Sequence, residues 1–322
     1  MQEKGSKLTV ALNSNIVILG AGFIGLSFSA VFEDAGFQVT LADPDPQRRG
    51  AAADGIKAQQ EAIRLAALGQ NKAGNISVVD APDSALPAAG LVLECGPENL
   101  DTKRAIFEDL LVKTGENTIL ATASSAIPMS QIVCNVRDQS RCLVAHPMNP
   151  PAVLRIIELC PAPATTLENQ ERAAAMFEGA GFAAAQLRHE IEGFILNRLQ
   201  GAVLREAYRL VDEGVAEPND IDKAMRLGLG PRWALAGPFE TAELNTPGGI
   251  SAHAERMGPA YKRMGEARGE TVDWNGALIS RVADARAAAR GGETIPHRAQ
   301  WRSLAVARLV ALRDNLLGQS DA

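Results

Sequence analysis

Gly20-Ala21-Gly22-Phe23-Ile24-Gly25 constrains this chain more than any other stretch, because of what flanks it. The preceding Ile16-Val17-Ile18-Leu19 is short and wholly apolar, the pattern of a strand buried on both faces of a parallel sheet. Leu26 to Ala35 then has helical periodicity and stops at Gly36. A second strand, Val39-Thr40-Leu41, ends at Asp43, 23 residues after Gly20. In that setting G-x-G-x-x-G reads as a dinucleotide site. Gly20 permits the tight turn, Gly22 lets the backbone approach a pyrophosphate, and Gly25 lets helix and strand pack closely. The pyrophosphate is expected against the positive end of the helix and its first amides, those of Phe23 and Ile24. Asp43 suits the adenosine ribose hydroxyls and repels a 2′-phosphate, which favours NAD. Arg48 and Arg49 keep NADP open, and FAD shares the fingerprint.

The alternation continues. Ile76 to Val79, Leu91 to Glu94 and Thr118 to Ala121 are strand candidates, with a helix from about Asp101 to Val112, capped by Asp101, between the last two. Leu143-Val144-Ala145, Ile156-Ile157 and Phe182-Ala183-Ala184 extend the strand-rich region. After Gly193 the pattern turns helical: Phe194 to Val211, Ile221 to Leu227, Leu278 to Ala289 and Arg298 to Leu317. The expectation is an α/β fold. A Rossmann-type doubly wound sheet occupies residues 1–190, with 1–14 as a flexible leader, and an all-α domain follows over 191–322.

At 322 residues, 46% hydrophobic and 22% charged, the chain is globular and long enough for two domains. A net charge of −6 argues against nucleic acid or an anionic membrane surface as the main partner. No apolar run approaches the roughly 20 residues of a spanning helix. Asn13-Ser14-Asn15 interrupts the apolar start, which argues against export and for a cytoplasmic protein. Cys95, Cys134, Cys142 and Cys160 form no CxxC pair and read as small core residues of a reduced compartment, with a disulfide left open.

Oxidising an alcohol needs a base of suitable pKa, and the chain holds four histidines. His189 lies near the expected domain joint, His253 in a polar helical segment, and His297 beside Pro296. His146 follows a strand, where the carboxyl end of a sheet delivers residues to a crevice, and is expected on the proline-rich turn His146-Pro147-Met148-Asn149-Pro150-Pro151. Glu158, in the apolar run Ile156-Ile157-Glu158-Leu159, needs a partner if buried. An imidazole would be one, with the carboxylate fixing its tautomer. The spacing alone leaves open whether the two meet.

Several further segments complete a pattern: Pro97-Glu98-Asn99-Leu100-Asp101, Gly193-Phe194-Ile195-Leu196-Asn197-Arg198-Leu199-Gln200, Gly228-Leu229-Gly230-Pro231-Arg232-Trp233, Gly237-Pro238-Phe239-Glu240 and Gln300-Trp301-Arg302. With these the chain resembles the 3-hydroxyacyl-CoA dehydrogenase superfamily over nearly its whole length, and within it the lambda-crystallin type, whose activity is L-gulonate 3-dehydrogenase. The resemblance implies NAD as cofactor, His146 as catalytic base, Glu158 as its partner, and a homodimer formed through the helical domain. It also implies substrate contacts from Asn197 and from a serine that falls on the first of Ser124-Ser125. Glu98 and Asn99 are expected to line the cofactor crevice, with Asn149 supporting the turn.

The substrate is less constrained. In the acyl-CoA branch a longer helical insertion with basic residues lies where this chain has Ile56 to Ile76, read here as a short helix from Gln59 to Leu68 and a loop. The lambda-crystallin branch is also longer there, so the difference counts against both, and more against CoA. A free carboxylate wants a guanidinium, and Arg232 or Arg198 could supply it. The preferred reading is oxidation of the C3 hydroxyl of L-gulonate or a related small polar 3-hydroxy acid. A 3-hydroxyacyl-CoA and a carnitine-like hydroxy acid are the alternatives. A bulk structural protein or a nucleotide sensor is the non-enzymatic reading, against which His146, Glu158, Ser124 and Asn197 together argue.

Overall fold

The computed structural model describes residues 14–136, 138–234, 237–245 and 249–269, with scattered positions between 277 and 315. Residues 1–13 of the expected leader and most of the helical patterns Leu278 to Ala289 and Arg298 to Leu317 lie outside the described residues, as does Arg302. Eight strands are formed: β1 (Asn15–Leu19), β2 (Gln38–Ala42), β3 (Asn75–Val79), β4 (Leu91–Glu94), β5 (Ile119–Thr122), β6 (Cys142–Pro147), β7 (Ile156–Pro161) and β8 (Ala183–Gln186). They make one sheet in the order β3-β2-β1-β4-β5-β6-β7-β8. The first six are parallel, β7 runs antiparallel to β6, and β8 is parallel to β7.

The central strands β1, β4, β5, β6 and β7 are buried on both faces, which is why they read as apolar runs rather than alternating ones, while the edge strands β3 and β8 are largely exposed. Ile16 and Ile18 of β1, Leu91 and Leu93 of β4, and Leu143 and Ala145 of β6 enter one core with Phe28, Phe32, Phe177 and Phe182. Val17, Val92 and Val144 face the other way, into a core with Phe107, Leu110 and Phe194. Each large side chain so buried contributes about 1.5–3 kcal/mol. Helices α1 (Phe23–Asp34), α2 (Pro46–Leu65), α3 (Leu100–Lys113), α4 (Met129–Ile132) and α5 (Leu167–Gly179) supply the layers. Within the first core, Phe28 and Phe32 of α1 meet Phe177 of α5 with ring centroids 6.0 and 5.6 Å apart.

Four expectations change. The short helix expected from Gln59 is the last part of α2, which begins at Pro46 because Asp45 caps it by accepting from the Gln47 amide. Asn99, rather than Asp101, caps α3 by accepting from the Thr102 amide at 2.9 Å. Thr166 caps α5, a helix the sequence pattern did not single out. Cys134 is exposed and Cys95 half-buried, so only Cys142 and Cys160 are core residues; all four thiols are free. Burial pushes the Cys142 and Cys160 thiols up to about 12.

The described residues up to Asn197, with those between 303 and 311, form one compact unit, and those from Arg198 onward the other. The second is helical: α6 (Leu196–Asp212) enters it, followed by α7 (Pro218–Lys223), a π-helical stretch (Ala224–Leu229), α8 (Gly230–Trp233), α9 (Pro238–Leu244) and α10 (Gly249–Arg268). Arg268 closes α10 onto Glu206 of α6 at 3.0 Å and onto Glu213, just past its end, at 2.6 Å. No helix among the described residues is long and apolar enough to cross a membrane.

Candidate active site

β1, β2, β4, β5 and β6 point their carboxyl ends at one edge of the sheet, and the side chains singled out in the first unit gather there. At the glycine turn, Gly20 adopts φ +108°, and a Cβ on it would lie 2.8 Å from the Cys95 carbonyl oxygen. Gly22 is different: a Cβ there meets nothing within 4 Å, so the protein's own packing does not demand a glycine. It caps α1 without any side-chain hydrogen bond, leaving first-turn amides for an outside acceptor. These features fit a pyrophosphate. Asp43 follows β2, is buried, and accepts from the amides of Ala21 at 2.7 Å and Asp45 at 2.9 Å. Its oxygens thereby tie the glycine turn to the strand end, and their remaining lone pairs suit a ribose diol. Arg49 donates to the carbonyls of Asp43 and Pro44, while Arg48 lies 3.8 Å from the Asp43 carboxylate.

Around the ends of β4 and β5 lies a polar cluster that the sequence reading missed. Glu94 and Lys103 are paired at 2.7 Å, 0% and 1% exposed, and Thr122 donates to the same Glu94 oxygen at 2.6 Å. A signal was present: Glu94 ends a wholly buried strand, and a carboxylate so placed requires a cation. Lys103 also lies 3.6 Å from Glu98, whose side chain is 40% exposed. Glu98 accepts from the Ser124 hydroxyl at 2.5 Å and from the Ser125 and Ala126 amides at 3.1 Å each. Its burial alone would raise the Glu98 pKa; the Ser124 hydrogen bond, the Lys103 charge and the two amides outweigh it and hold the carboxyl below its ordinary value.

Ser124 is buried, with its proton donated to Glu98 while its oxygen accepts from the Ile127 amide at 2.8 Å. Ser125 is exposed, and its carbonyl accepts from the Asn197 side-chain amide at 2.8 Å. That bond brings the start of α6 to the β5 loop.

His146 is the fifth residue of β6 rather than part of a turn, and Glu158 is its partner across the antiparallel β6–β7 ladder. Residues directly opposite in such a pair share a face, so the register answers what the spacing left open. His146 Nδ1 and Glu158 Oε2 are 2.7 Å apart. His146 is 6% exposed and Glu158 wholly buried. The other ring nitrogen, Nε2, has no hydrogen-bond partner among the described residues. Asn149 lies just beyond, before a cis bond to Pro150. Arg232 belongs to α8 in the second unit and is exposed; Arg198 begins that unit. No group of three or more potential metal ligands exists among the described residues.

A glycine turn at a helix N-terminus, a buried aspartate after β2 and a sheet of this topology fit an NAD-dependent oxidoreductase, and the family match makes it one. Residues 15–189 match the NAD-binding domain of 3-hydroxyacyl-CoA dehydrogenase, and 193–278 match its C-terminal domain. The chain belongs to the 3-hydroxyacyl-CoA dehydrogenase and lambda-crystallin superfamily. It is 32% identical to lambda-crystallin of Oryctolagus cuniculus over 313 residues, covering 95% of this chain and 98% of that one. It is 31% identical to an L-carnitine dehydrogenase of Oceanobacillus iheyensis over 249 residues, 77% and 81% of the two chains. Among solved structures, a 5-formyl-3-hydroxy-2-methylpyridine-4-carboxylic acid 5-dehydrogenase shares the fold with a TM-score of 0.79 at 23% identity, covering 95% of this chain and 99% of that one.

Proposed function

We propose that this NAD-dependent oxidoreductase oxidises the C3 hydroxyl of a small polar 3-hydroxy acid, L-gulonate foremost, with His146 as the base and Glu158 as its orienting partner. The observation that carries the reading is the buried 2.7 Å contact between His146 Nδ1 and Glu158 Oε2 at the carboxyl edge of the sheet. With Nδ1–H donated to the carboxylate, Nε2 is the acceptor that takes the hydroxyl proton. The imidazolium that forms is then paired with Glu158. Bound NAD supplies the hydride acceptor. Asn197, with one amide proton on the Ser125 carbonyl, keeps a second for the substrate oxygen. Ser124 acts by holding Glu98 and the loop, and the exposed neighbour Ser125 is the hydroxyl available to a ligand.

A small acid is supported by the segment after α2. Residues 66–74 form a short loop pinned by Asp34, which accepts from the amides of Gln70 and Asn71. The longer insertion of the acyl-CoA branch is missing here, as is that of the lambda-crystallin branch, and its absence counts more against CoA. Arg232 is the preferred anchor for the substrate carboxylate. The carnitine reading retains a specific support, the similarity to an L-carnitine dehydrogenase. Initial rates with NAD and L-gulonate, 3-hydroxybutyrate, carnitine or 3-hydroxybutyryl-CoA decide among these. The highest kcat/KM is expected with L-gulonate, and a strong preference for the thioester or for carnitine overturns the substrate assignment.

The protein is further proposed to act as a homodimer through its helical domain. α6 exposes Leu199 (55%), Val203 and Leu204, apolar side chains on a helix that also carries Arg198, Arg205, Glu206 and Arg209. Light scattering is expected to give twice the chain's mass; a monomer at assay concentration contradicts this.

A further inference from the structure

Phe194 has an unusual backbone. It adopts φ +49°, directly after Gly193 at +79°, and a bulky residue takes such a value only where its surroundings impose it. Here two consequences coincide. The turn aims the next two amides, of Ile195 and Leu196, at Glu158 Oε1, at 2.7 and 2.9 Å. The Phe194 ring, 1% exposed, packs on the imidazole of His146, centroid to centroid 5.3 Å at 44°.

Glu158 therefore receives two backbone amides on one oxygen and His146 Nδ1 on the other. Two amide donors fix the first oxygen, and the planar carboxylate then fixes where the second lies. The imidazole is held on its edge by that second oxygen and packed against the tilted ring of Phe194. Asn197 follows Leu196 by one residue, so the same clamp sets the start of the helix carrying it.

We propose that Phe194 is a positioning residue for His146: its left-handed backbone delivers the amides that lock Glu158, and its ring backs the imidazole, keeping Nδ1 on the carboxylate and Nε2 toward the substrate. This rests on the assignment of His146 as the base. It makes residues 193–196 part of the catalytic apparatus without any contact to the reacting atoms. Displacement of a reacting group by about 1 Å costs on the order of 100-fold in rate.

The test uses nitrogen and proton NMR of the imidazoles, since the chain holds four histidines, together with kinetics of the full chain. In the wild type, His146, assigned by its absence from His146→Asn, is expected in one tautomer with Nε2 unprotonated. Its ring protons should be displaced upfield by the Phe194 ring current. Phe194→Leu is expected to abolish the displacement and mix the tautomers. It should lower kcat about 10- to 100-fold while the Kd for NAD, from calorimetry, stays within about twofold. Phe194→Tyr, which keeps the ring, should restore the imidazole signals and most of the rate. A residue needed only for folding would lower Tm and leave kcat per folded molecule unchanged, and that result overturns the proposal. Mixed tautomers in the wild type overturn it without any variant. If His146→Asn retains turnover, the base assignment fails instead.

Discussion

Glu98 is ionised against the pull of its own burial, and this gives the β5 loop a pH dependence. Burial opposes its charge, while the Ser124 hydroxyl, Lys103 and the Ala126 and Ser125 amides favour it, with a net lowering of the pKa. A carboxylate depressed in the folded state stabilises that state above the unfolded pKa, and the contribution is lost as pH falls through the folded value. Tm is therefore expected to fall more steeply in acid for the wild type than for Glu98→Gln, which keeps an acceptor for the same three donors. Parallel curves from thermal unfolding across the acid range would remove this role from Glu98. The contacts of Ser124 with Glu98 and the Ile127 amide are not legible in the sequence. Sequence distinguishes neither of two adjacent serines nor the direction of their hydroxyls, whereas burial separates them at once.

At the scale of elements, the strands were the most legible part, because a sheet covered on both faces forces continuous apolar runs such as Leu91-Val92-Leu93 and Leu143-Val144-Ala145. Helices were less so. α2 carries Ala51-Ala52-Ala53 and charged residues with little apolar periodicity, so only its last turns stood out; its start lay in the Asp45-Pro46 cap. The apolar pattern ends β6 too early because His146 and Pro147 break it, although both are buried strand residues. A strand of that length does not show the His146–Glu158 pairing. Once β6 extends to Pro147 and β7 runs antiparallel, register alone places His146 opposite Glu158. The Phe194 turn had no sequence signal beyond Gly193, since φ +49° at an aromatic residue follows from tertiary contacts rather than local preference.

For the whole molecule, the NAD-binding domain fixes the cofactor, while the proposed recognition of the substrate beyond C3 is assigned to groups such as Arg232. The proposed chemistry concentrates in one imidazole. If His146 is the base, its loss removes proton transfer and leaves the nucleotide site, built from β1, α1 and β2, intact. The most direct measurement is therefore steady-state turnover of His146→Asn beside calorimetric NAD binding. Turnover is expected to fall about 100- to 10,000-fold with the Kd for NAD within about twofold of wild type. Turnover within about tenfold of wild type, or NAD affinity lost along with it, would contradict the account.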